Sequence, residues 1–170
     1  LKKGECLYYG GEDSTNLYFL ISGILRGFTV SASGKEYTEC ILHKYGHAHI
    51  GMIGMDDRQE FKLNKNLEAL TEADLIYFDV RPIIKELPNS IEFLRVCVKK
   101  LEESYAQMWE VREIMRESAQ ARYAWFQRTY PKLQNIMQLK DVATFLGITP
   151  VTLSRIRARE TISAEKDDAT

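Results

Sequence analysis

Residues 141–157, "DVATFLGITPVTLSRIR", decide how the rest of the chain is read. With Leu139 just ahead of them, Val142, Ala143 and Leu146 fall at i, i+3, i+4 and i+7, the single apolar stripe of a short helix. Gly147 then offers a left-handed turn without a Cβ penalty, and Ile148 fills the angle behind it. Thr149 is placed to cap a second helix, with Pro150 at its first position, where the missing N–H costs nothing. Ala143 is small where two steeply crossing helices must touch. This combination predicts a helix-turn-helix.

At 100° per residue from Pro150, Leu153 and Ile156 point inward, and Val151, Ser154, Arg155 and Ala158 form the outer row. If that helix enters a major groove, Arg155 is the base reader, because its planar fork donates two hydrogen bonds to guanine O6 and N7. Val151 suits a thymine methyl, with Ser154 beside it. Thr149, Thr152 and Arg157 are expected at the phosphate rims, where contacts position rather than specify. The alternative for Arg157 and Arg159 is plain solvated charge.

Charge is divided along the chain in the same sense. Over all 170 residues the formal net charge is -1, yet residues 119–159 carry seven Lys and Arg against one acid. A basic block between acidic ones suits a polyanion partner. Composition, with 45% hydrophobic and 28% charged residues, is that of a folded chain. No apolar stretch approaches the roughly 18 residues of a spanning helix and no signal-peptide pattern is present, so a cytoplasmic protein without membrane contact is expected. Cys6, Cys40 and Cys97 lie far apart and outside metal-ligand spacing, which favours reduced, structural thiols.

Working outward, residues 1–87 alternate short β-prone runs with glycine-bearing turns, as in a small barrel or sandwich. "SASGKE" (31–36) reads as a hairpin turn, with Gly34 at positive φ. The pattern turns helical over 88–117, where Asn89 is a candidate N-cap with Glu92 three residues on. Ile91, Leu94, Val98, Leu101, Tyr105 and Met108 recur at alternating spacings of three and four, a narrow seam that suits a partner helix in a self-associating chain. Residues 118–170 form the third region. Ser118 is a candidate cap, Tyr123, Phe126 and Tyr130 share a face, and Pro131 ends the helix.

The order of these parts resembles the Crp/Fnr superfamily of transcription regulators. "LKKGECLYYGGEDSTNLYFLISGILRGF" is similar to that family's cyclic-nucleotide-binding β-roll, and "ARYAWFQRTYPKL" with "LGITPVTLSRIR" to its compact DNA-binding end. The resemblance implies an α+β fold: an N-terminal double-stranded β-helix (jelly-roll) domain, a long dimerisation helix and a C-terminal helix-turn-helix domain. It also implies a homodimer on double-stranded DNA, a contact with RNA polymerase, a small-molecule effector and a helical segment ahead of Leu1; serine, histidine and acidic residues form no local nucleophile or acid/base motif, so no enzymatic activity and no cofactor are expected.

Departures from the family pattern shape the effector expectation. Where cAMP-binding members carry Gly-Glu and then Arg-Ser, this chain has Gly51 followed by Met52, and Leu63 followed by Asn64. A buried phosphate without a cation is left uncompensated, so an altered pocket that does not bind cAMP is expected. Lys62 or Lys65 serves only if the register slips by an odd step, which turns its side chain to the other face of the sheet.

Two other readings stand beside this one. His47 and His49 form an H-x-H on a strand, as in metal-dependent cupin enzymes, with His43 close by; Ile53 and Gly54 stand where the accompanying carboxylate is expected. The second alternative is an interaction module that does not bind DNA, with the acidic tail "AEKDDAT" lying over the basic face.

Overall fold

The computed structural model describes residues 1–11, 16–50, 65–79, 82, 90–131 and 133–167. Among the described residues seven strands come first: β1 (Cys6–Tyr8), β2 (Asn16–Ser22), β3 (Leu25–Val30), β4 (Glu36–Leu42), β5 (Ala48–Ile50), β6 (Asn66–Ala69) and β7 (Asp74–Asp79). They form two antiparallel sheets, one ordered β1-β6-β3-β4 and the other β5-β2-β7. Between the sheets lies a core of Tyr8, Tyr18, Leu20, Leu25, Leu42, Leu67, Ala69 and Ala73.

The expected β3–β4 hairpin is present. Gly34 takes φ 79°, and the Ser31 and Lys35 main chains close the turn with a 2.9 Å bond. Gly23 takes φ 92° before β3, and a Cβ there would lie 2.4 Å from the Glu72 carbonyl, so only glycine fits.

β3 departs from alternation: Leu25, Arg26, Gly27 and Phe28 are all buried. A strand buried on both faces needs a second layer, and the helices supply it. Leu25 and Leu42 face the inter-sheet core. Arg26, paired with Ile41 on one side and Glu68 on the other, faces the helices.

The helices are α1 (Ile91–Ile114), α2 (Ala119–Thr129), the single turn α3 (Leu133–Ile136), α4 (Leu139–Phe145) and α5 (Pro150–Asp167). At about 1.5 Å per residue α1 is about 36 Å long, and it has no buried residue. Its cap differs from the expectation. Ser90 serves, its Oγ accepting from the Phe93 N–H at 3.2 Å, the N3 amide that a capping side chain is placed to reach. Asn89 lies outside the described residues.

Ser118 caps α2 as expected, accepting from the Ala121 N–H at 3.2 Å. Tyr123, Phe126 and Tyr130 are buried in a helical core with Trp125, Leu133, Val142, Ala143, Phe145, Leu146, Leu153 and Ile156. Ile41 and Leu70 of the β region belong to that same core, so the helices α2–α5, called the head below, are docked on the four-stranded sheet. No described helix is long and apolar enough to cross a membrane.

Candidate nucleic-acid interface

Local chemistry sets the connection between α4 and α5. The Ile148 N–H donates to the Ala143 carbonyl (3.0 Å) and the Gly147 N–H to the Thr144 carbonyl (3.1 Å). With Gly147 at φ 62°, these two bonds make a Schellman stop. Arg122 takes up the carbonyl left over at the helix end, donating to Leu146 O at 3.0 Å, and its Nε reaches Glu117 O at 2.9 Å. Thr149 Oγ1 then accepts from the Thr152 N–H at 3.1 Å and starts α5 at Pro150.

This connection aims the faces of α5. Leu153 and Ile156 are buried, whereas Val151, Ser154, Arg155 and Ala158 stand on the surface, Val151 60% exposed. Among the described residues Arg155 makes no hydrogen bond or ion pair, so its exposed guanidinium retains its donors. Thr149 is exposed and Thr152 half-buried, their hydroxyls 2.9 Å apart at the N-terminus of α5.

Arg157 is placed differently from its expected position at a phosphate rim. It is half-buried, its Nε donating to Tyr123 Oη (2.9 Å) and its Nη2 to the Gln134 carbonyl (2.8 Å). Tyr123 Oη in turn donates to Gln134 Oε1 at 3.0 Å, and Gln127 joins Gln134 to Glu160 at 3.2 Å each way. Arg157 therefore ties α5 to α2 and α3. A rim charge and an internal strut look alike in sequence, because what separates them is a phenol and a carbonyl supplied from 34 and 23 residues away.

All six seam residues, Ile91, Leu94, Val98, Leu101, Tyr105 and Met108, are exposed on α1, Leu101 to 71%. Tyr105 and Trp109 stack beside them at 6.2 Å. The four pocket residues, Gly51, Met52, Leu63 and Asn64, lie outside the described residues.

The H-x-H expectation pairs His47 with His49, whose side chain lies outside the described residues. The structure instead brings His43 to His47, ring centroids 5.3 Å apart, with the Tyr130 ring 4.9 Å from His43. Among the described residues no group of three ligating side chains gathers around a metal position. Burial pulls the His43 pKa down to about 4, with His47 and Lys44 adding repulsion; burial, then Lys44, lowers His47 as well. In the unfolded chain His43 titrates near ~6.5. Between those two values the unfolded state binds more protons, so stability falls as pH drops from about 6.5 towards 4. His43→Gln is expected to flatten that slope in urea midpoints measured from pH 7 to pH 4; an undiminished slope would assign it to other groups.

No family model matches the chain. Among curated proteins it is 24% identical over 180 residues to the transcriptional activator protein Anr of Pseudomonas protegens, covering 97% of this chain and 72% of that one. It is also 24% identical over 174 residues to the anaerobic regulatory protein of Aggregatibacter actinomycetemcomitans, covering 94% and 65%. Among solved structures, FixK2 from Bradyrhizobium japonicum superposes with a TM-score of 0.76 at 16% identity, over 96% of this chain and 83% of that one. A regulator of the Crp/Fnr family from Eubacterium rectale gives 0.75 at 20%, over 96% and 77%.

Proposed function

We infer that this chain, a Crp/Fnr-type regulator by its curated relatives and its fold, works as a homodimer that reads duplex DNA with α5. The observation that carries the reading is the outer row of α5. Val151, Ser154 and Arg155 stay accessible on a helix whose opposite side is locked into the head by Leu153 and Ile156. A rigid helix with one free guanidinium in a basic segment is what major-groove recognition requires.

In this reading α4 and α5 form the helix-turn-helix, Thr149 and Thr152 sit at the phosphates beside the N-terminus of α5, and Arg157 braces the reader from behind. The exposed seam of α1 pairs with its copy, and the two reading helices meet half-sites about 34 Å apart. The β region is the double-stranded β-helix of the family. Its effector pocket, around Gly51, Met52, Leu63 and Asn64, is altered such that cAMP is not its ligand, since the sequence has Leu63 where cAMP-binding members carry the phosphate-holding arginine. Contact with RNA polymerase and a cytoplasmic location follow from the family resemblance. The relatives are regulators rather than enzymes, and catalysis is no part of the proposal.

Selecting bound duplexes from a random pool tests this directly, and a palindromic consensus is the expected outcome. Log affinity should fall with log salt by about 0.9 per phosphate contacted. Arg155→Ala is expected to lose about 10- to 100-fold in preference for its best site, the roughly 1–3 kcal/mol of a bidentate arginine–guanine contact, with little change on random duplex. Equal losses on every sequence would remove Arg155 from the reader's role.

A further inference from the structure

Among residues 119–159 a single acid, Asp141, stands against seven basic residues. It sits in the first turn of α4, where a carboxylate is welcome in solvent. It is instead 3% exposed, and its Oδ1 lies 2.8 Å from Arg26 Nη1 on β3, itself 3% exposed. The β region holds Arg26 by three other contacts: Glu36 across the hairpin, Glu68 at 3.8 Å on β6, and the Phe28 ring at 4.3 Å. One turn along α4, Thr144 Oγ1 accepts from the Thr38 N–H at 3.2 Å and lies 3.3 Å from the Thr38 hydroxyl. Asp141 and Thr144 thus face the sheet together, and Ile41 and Leu70 complete the contact from below.

We propose that the Arg26–Asp141 pair is a latch that holds the helical head in one orientation on the four-stranded sheet, which makes Arg26 a positioning residue for the outer row of α5. The physical basis is discrimination. A buried ion pair adds little net stability compared with an apolar contact, but drawing the head away leaves the Asp141 carboxylate buried without its cation, while Arg26 keeps Glu36 and Glu68. Apolar contacts between Ile41, Leu70 and the head tolerate sliding; a guanidinium–carboxylate bond does not. Arg26 Nε is buried and has no hydrogen-bond partner among the described residues, so Asp141 is the head's charged contact with this guanidinium through Nη1 alone. A shift of β3, β4 or β6 would in this way reach α5 through α4.

Asp141 is the one member of the cluster that belongs to the head. Replacing it by Asn leaves Arg26 its two carboxylates within the β region, so both parts keep their own cores. The latch rests on contacts inside one chain; only its consequence for half-site spacing rests on the reading proposed above.

The test uses the full chain and backbone amide relaxation, comparing rotational correlation times for residues 142–158 with those for β2–β4. The wild type is expected to give one common value. In Asp141→Asn/Thr144→Val the head value is expected to fall by about 1.5-fold relative to the sheet, a nanosecond-scale decoupling. Thr144→Val alone removes no charge and serves if the double variant does not fold; a smaller fall is expected from it. A common value retained in the variants, or a wild-type head that already tumbles separately, overturns the latch. With DNA, the double variant should accept half-site spacings that the wild type rejects. If neither protein binds any duplex, the DNA reading fails while the relaxation result still decides the latch.

Discussion

Leu94→Glu/Leu101→Glu is expected to be monomeric at micromolar concentration and to bind a two-half-site duplex at least about 100-fold more weakly than wild type. The seam on α1 is a line of exposed apolar side chains on a helix with no buried residue, and both substituted positions lie on that line. Across a two-fold axis each glutamate meets the apolar seam of its copy, where a carboxylate loses water and gains no cation. The loss on DNA comes from avidity: two linked heads bind paired half-sites with an effective local concentration that a single head lacks. A duplex with one half-site should therefore bind both proteins about equally. Sedimentation equilibrium checks the first claim and titration of the two duplexes the second. A variant that stays dimeric would put the interface elsewhere.

Phe126→Ala should cost about 3–5 kcal/mol in urea unfolding, the range for an aromatic removed from a closed core. Phe126 is fully buried and lies within ring-packing distance of Tyr123 (6.5 Å), Tyr130 (5.4 Å) and Phe145 (5.9 Å). Those rings, with Trp125 stacked on Phe145 at 6.2 Å, hold the platform on which Leu153 and Ile156 seat α5. The inter-sheet core is a separate cluster, so the head should melt first. Trp125 fluorescence is expected to report an early transition, with β-sheet circular dichroism following later. A loss below about 1 kcal/mol, or one coincident transition, would contradict this division.

The outer row of α5 and the docking of α4 were legible in the sequence to different degrees. Val151, Ser154 and Arg155 face outward, as the three-four spacing predicts, because Gly147, Thr149 and Pro150 set the start of α5 within a few residues of one another. Ser118 as a cap and Gly34 in its turn are cases of the same kind. At the start of α1 two residues of capping type are adjacent in the sequence, and it is Ser90 whose hydroxyl accepts from the Phe93 N–H. Phe145 is buried although it lies outside the stripe drawn through Leu139, Val142, Ala143 and Leu146, because Trp125 and Phe126 of α2 and Tyr130 just after it cover it.

What the sequence by itself determined, then, was the local hardware: the helix stop and start around Gly147, the inward and outward sides of α5, the apolar seam of α1 and the β-prone first half. Only the tertiary structure decided where the charges went. Arg26 in a strand and Asp141 on a helix both read as surface residues until the sheet and α4 close over them, and Arg157 reads as a free cation until Tyr123 and Gln134 arrive. Caps and turns are chosen by hydrogen bonds spanning three to five residues, which a linear reading can follow. A bond such as that from Thr38 to Thr144, 106 residues apart, exists only because two complete surfaces match in shape, and no short stretch of either surface records the other.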